Sequence, residues 1–130
     1  MLNIDSHQDN YDTWNKQGIE LCYLGKFEEA IASWDRALEI KPDYYQACYN
    51  QGFALANLFR HEKAIAFYDK ALEINPDYHQ AWYNRGNALY NLDRHEEAII
   101  SYDKALEFKP DYHNAWFIPG DFCVYFKCAE

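Results

Sequence analysis

The chain of 130 residues has no uninterrupted apolar run near the ~18 residues that a membrane-spanning helix needs. Its first ten residues, MLNIDSHQDN, have neither a basic start nor an apolar stretch, so no secretory leader is expected. Four cysteines without regular spacing do not make a disulfide framework, and a cytoplasmic, reducing setting is expected. Basic residues are in deficit: 12 Lys and Arg face 21 Asp and Glu, for a formal net charge of −9. Nonspecific nucleic-acid binding needs basic surface to displace counterions, so nucleic acid is not an expected partner, and neither is a membrane. No Gly-rich phosphate loop and no nucleophile elbow appear, and no enzyme is expected.

What the chain does have is repetition. Trp82, Gly86, Leu89, Ala98, Tyr102, Ala105 and Pro110 mark one copy. Thirty-four residues earlier stand Cys48, Gly52, Leu55, Ala64, Tyr68, Ala71 and Pro76, and 34 earlier again Trp14, Gly18, Leu21, Ala30, Trp34, Ala37 and Pro42. A fixed period of this length is the signature of a stacked array. The copies are set at 11–44, 45–78 and 79–112, with 1–10 as a lead-in and 113–130 as a divergent end.

Each copy contains two helical patterns. In the third, Ala81, Trp82, Arg85, Gly86, Leu89 and Leu92 follow i, i+3, i+4 spacing, and Ala98, Ile99, Tyr102, Ala105 and Leu106 do so again. The breaks are Leu24-Gly25-Lys26, Leu58-Phe59-Arg60 and Leu92-Asp93-Arg94. Gly25 suits a left-handed helix end. Phe59 is strained in that conformation, so the second turn is expected to adjust its geometry. Pro42, Pro76 and Pro110 stop the second helices. Asp43, Asp77 and Asp111 are the expected N-caps of the helices that follow, with Gln46 and Gln80 completing two capping boxes, and Asp9 is expected to open the first helix. Gly18, Gly52 and Gly86 each cost roughly 1 kcal/mol inside a helix, so a neighbouring helix is expected to come close there. Ala30, Ala64 and Ala98 are expected to admit a bulky side chain such as Trp14 or Trp82.

These residues resemble the tetratricopeptide repeat, a 34-residue helix pair with the pattern W-x2-L-G-x2-Y, then A-x3-F, then A and P. The match covers 11–112 and begins a fourth time at His113-Asn114-Ala115-Trp116. Departures are mild: Gln17, Gln51 and Arg85 replace leucine, Leu21, Leu55 and Leu89 replace tyrosine, and Cys48 replaces an aromatic. The resemblance implies an all-α fold, a right-handed superhelix of three antiparallel helix pairs plus a partial C-terminal capping helix. It also implies a concave groove lined by the first helices, and a protein or peptide partner instead of catalysis.

With the first helices facing inward, the groove positions are Asp12, Asn15, Lys16, Ile19 and Tyr23, then Gln46, Tyr49, Asn50, Phe53 and Asn57, then Gln80, Tyr83, Asn84, Asn87 and Asn91. The candidate peptide contacts among them are Asn15, Lys16, Tyr49, Asn50, Phe53, Tyr83, Asn84, Asn87 and Asn91. Asn offers a donor and an acceptor together, and Tyr a rigid plate with a polar tip. The alternative is that these side chains solvate a helix face or bind neighbouring helices. Some family members hold a chaperone's C-terminal carboxylate with a Lys, Arg and Asn clamp. Asn50 matches one clamp asparagine, but the basic positions fall at Asn15, Gln80 and Asn84 and the other asparagine at Ile19. A dicarboxylate clamp of that type is therefore not expected.

No metal or other cofactor is expected. His61 and His95, like His79 and His113, are echoes of the period without zinc-ligand spacing, and Cys123 with Cys128 has no second pair. Glu28-Glu29 and Glu96-Glu97 open second helices, where the helix dipole favours negative charge. At the end, Pro119 interrupts the fourth first helix, and Phe122, Cys123, Val124, Tyr125 and Phe126 follow. Residues 115–118 are expected to cap the stack, while the apolar tail leaves homo-oligomerisation as the second reading.

Overall fold

The computed structural model describes residues 10–110. Six helices follow one another: α1 Tyr11–Tyr23, α2 Phe27–Ile40, α3 Tyr45–Asn57, α4 His61–Ile74, α5 His79–Asn91 and α6 His95–Phe108. No strand occurs among the described residues. Odd and even helices pair within one period (α1 with α2, α3 with α4, α5 with α6), and each even helix then packs on the next odd one. The odd helices touch each other only marginally. The architecture is an all-α helical repeat solenoid. The expected fourth helix and the tail, with Asp111, lie outside the described residues.

The periodic glycines have one physical cause. A Cβ on Gly18 would come 2.5 Å from the Trp34 ring, and one on Gly52 or Gly86 would come 2.7 Å from the ring of Tyr68 or Tyr102. The large side chain that exploits each gap therefore belongs to the even helix of the same pair. At Gly52 the backbone is close as well: the Ala64 carbonyl oxygen would lie 3.1 Å away. Ala30, Ala64 and Ala98 are buried.

Two expectations about helix ends are corrected. Asn10 opens α1, its side-chain oxygen accepting from the backbone N–H groups of Asp12 and Thr13 at 2.9 and 3.3 Å; Asp9 lies outside the described residues. The helices α3 and α5 are entered through Tyr44 and Tyr78, without a side-chain cap bond, so Asp43, Asp77 and the capping boxes through Gln46 and Gln80 do not form. Aromatic packing fixes the entry instead. The Tyr44 ring meets Tyr11 edge-on at 4.9 Å, and its equivalent Tyr78 meets Tyr45 at 5.2 Å. Asp43 stays in the turn and pairs with Lys41 at 3.2 Å.

The second turn is corrected too. Phe59 does not escape the left-handed region: it holds φ +61°, as does Asp93, beside Gly25 at φ +78°. All three turns keep one geometry, so Phe59 accepts the strain.

Candidate functional site

The candidate residues of the odd helices divide by exposure. Asn15 of α1, Tyr49 and Asn50 of α3, and Tyr83, Asn84 and Asn87 of α5 are buried. Lys16 and Asn91 are exposed, and Phe53 is half-buried. None of Asn15, Tyr49, Asn50, Phe53 and Tyr83 is without a partner.

The buried members are joined across the stack. The Asn50 amide donates to the Asn15 side-chain oxygen at 3.0 Å, and the Asn84 amide donates to the Tyr49 hydroxyl at 2.9 Å. Both pairs are 35 residues apart, one period plus one position. From Asn84 the chain of bonds continues: the Asn87 amide donates to Asn84 at 3.3 Å, and the Tyr102 hydroxyl donates to Asn87 at 2.6 Å. This series crosses α3, α5 and α6. A buried polar group is costly unless it is bonded, so the series also fixes the register between repeats. Burial raises the Tyr83 hydroxyl's pKa above its ordinary value, with hydrogen bonding to Asn87 opposing the shift. Tyr44, pinned by burial and by donating to Asp12 at 2.8 Å, is raised further.

A second set of polar contacts works between even and odd helices. The Gln51 amide donates to Asp35 at 2.7 Å, and the Arg85 guanidinium donates to Asp69 at 2.6 Å. These pairs occupy equivalent places one period apart. Arg85 also donates to Ser101 at 2.7 Å and stands over the Trp82 ring. Arg85 therefore packs between repeats. Sequence reading missed the role of Asp35 and Asp69; the signal was an Asp recurring at 35, 69 and 103.

At the α1 end of the odd-helix face, Lys16, Ile19, Glu20 and Tyr23 line an open recess of about 290 Å³. Among the described residues no group of three His, Cys, Asp or Glu could hold a metal ion. Cys48 is buried, and burial pushes its thiol upward, away from the reactive thiolate. No helix among these residues is long and apolar enough to cross a membrane.

Two forms of the tetratricopeptide repeat match the sequence, one over residues 15–79 and one over residues 79–112. The chain belongs to the tetratricopeptide repeat family. Among curated proteins none matches it. Solved structures of similar fold include MamA, 25% identical with a TM-score of 0.81, the alignment covering 86% of this chain and 66% of that one. The first tetratricopeptide repeat domain of Spaghetti (RPAP3), solved bound to the HSP90 peptide SRMEEVD, is 25% identical with a TM-score of 0.80, covering 83% and 86%. YrrB, described as having an unusual peptide-binding site, is 27% identical with a TM-score of 0.77, covering 82% of this chain and 55% of that one. The chain thus spans less than two thirds of the MamA and YrrB chains.

Proposed function

We propose that this tetratricopeptide repeat chain is a non-catalytic protein-interaction module that receives an extended peptide along the face of its odd helices. Membership of an interaction-repeat family, and two neighbours described by their bound peptide or peptide site, support the interaction module itself. The observation that carries the finer reading is the odd-helix face, where Phe53, Lys16 and Asn91 stand at the edge of the buried Asn and Tyr series. Phe53 supplies an apolar anchor. Lys16 and Asn91 supply polar contacts that are open to solvent.

The ligand differs from the acidic SRMEEVD of the RPAP3 domain. The positions where a carboxylate clamp has its cations are Asn15, Gln80 and Asn84 here, and two of these are buried. The buried Asn and Tyr are poor sites for a test, because substituting them breaks inter-helix bonds. The test is an array of extended peptides probed with the full chain and with K16E, F53S and N91D. Loss of the captured peptides by these variants, with an unchanged helical circular dichroism signal, is expected. Equal capture by wild type and all three variants overturns the reading.

A second reading, self-association through the α6 end of the stack, has its own observation. At equivalent positions Ile65 is 8% exposed under the following repeat, whereas Ile99 is 51% exposed, with Ile100 and Phe108 beside it. Sedimentation of the wild type and of I99S/I100S decides it: a monomeric wild type at high concentration removes this reading.

A further inference from the structure

The junction between repeats is built twice inside the stack. Across α2 and α3, Ile31 and Leu38 pack on the cluster that holds Cys48 and Leu55, Asp35 accepts from Gln51, and Glu28 pairs with Arg60. Across α4 and α5, Ile65 packs in the cluster of Leu89, Asp69 accepts from Arg85, and Glu62 attracts Arg94. The even helix brings Ile, Asp and Glu. The following repeat answers with an apolar recess, a donor and a cation.

Both halves of this junction recur at the two ends of the described stack. On α6, Ile99, Asp103 and Glu96 are all exposed. At the other end, Trp14, Gln17 and Leu21 of α1 line an open recess of about 330 Å³ with Ser33 and Arg36 of α2. Beneath α2, the equivalent Cys48, Gln51 and Leu55 are 0%, 3% and 5% exposed, whereas Gln17 is exposed and Trp14 and Leu21 are half-buried. Lys26 is exposed at the position equivalent to Arg60 and Arg94. The two ends therefore match in kind: Ile99 with the recess, Asp103 with the Gln17 amide, Glu96 with the Lys26 ammonium. The chain's own sequence matches α6 less well. At the spacing that joins Asp35 to Gln51, Asp103 reaches Pro119, which has no N–H to donate; at the spacing that joins Glu28 to Arg60, Glu96 reaches Cys128, which is no cation.

We propose that the α6 face of one molecule docks on the α1–α2 recess of a second copy, reproducing between chains the junction that α2 makes with α3. This rests on the self-association reading above and names the surface that α6 meets. Burial of Ile99 against Trp14 and Leu21 supplies the attraction, and the two polar pairs set the register.

Sedimentation of the full chain over a range of concentrations tests this, with two charge variants, Q17E/K26E and E96K/D103K, at four exposed positions. The wild type's average mass is expected to rise with concentration. Each variant alone is expected to stay monomeric with an unchanged helical circular dichroism signal, because each puts like charges face to face. An equimolar mixture of the two is expected to regain the wild-type mass, since the acidic recess of one accepts the basic α6 of the other. A wild type that stays monomeric overturns the proposal together with the self-association reading. Where the wild type does associate, association that survives Q17E/K26E, or a mixture no heavier than its components, overturns the proposal alone and leaves self-association through α6 standing.

Discussion

Phe59 is 82% exposed at φ +61°, so its side chain returns little burial for the strain of the left-handed region, about 1–2 kcal/mol for a residue with a Cβ. Phe59→Gly is expected to raise stability by up to ~1 kcal/mol, less what glycine's freedom in the unfolded chain takes back. A thermal melt with no increase contradicts this. Next to it, burial holds the His61 imidazole below its ordinary pKa. The unfolded chain then binds that proton more readily. The stability His61 contributes is complete above about pH 6.5 and is lost as pH falls through the lowered folded value. Denaturant midpoints measured from pH 7 to 5 should fall less steeply in H61N than in the wild type. The Asn and Tyr residues teach a different lesson at this scale. Their place on the odd helices was legible from spacing alone. Their burial was not, because Asn15 with Asn50 and Tyr49 with Asn84 meet only through the one-position offset between stacked repeats.

The helices themselves were legible because glycine, alanine and proline recur where geometry admits little else. Gly52 shows how firm that constraint is. Alanine there gains roughly 1 kcal/mol of helix propensity, yet its Cβ meets the fully buried Tyr68 ring at 2.7 Å and the Ala64 carbonyl oxygen at 3.1 Å. A buried ring can retreat only by displacing the side chains packed around it. Gly52→Ala is expected to lower stability by about 1–3 kcal/mol, the usual cost of overpacking, and chemical denaturation giving a neutral or stabilised variant speaks against the close approach. Helix entries were less legible. The Pro-Asp-Tyr turns read as Asp caps by propensity, but tertiary aromatic contacts at Tyr44 and Tyr78 decide the first residue of α3 and α5.

In the whole stack, burial is uneven. Nine of thirteen positions in α3 are buried, against four of thirteen in α1. Stability in such an array is a sum of repeats and their interfaces, so the middle repeat, held from both sides, opens last. Amide hydrogen exchange should be slowest in α3 and faster in α1 and α6; uniform rates along the stack disprove the gradient. The bonds of Gln51 with Asp35 and Arg85 with Asp69 also give the molecule a polarity, as a railway coupling has a hook and an eye. Each repeat shows an Asp to the next and takes the previous one with Gln or Arg. The exposed Gln17 is an unused hook at one end and the exposed Asp103 an unused eye at the other, while the next hook position in the sequence is Pro119, which has no side-chain donor. A contact between two copies through these unlike ends would be heterologous, the kind that extends into an open filament instead of closing into a two-fold dimer.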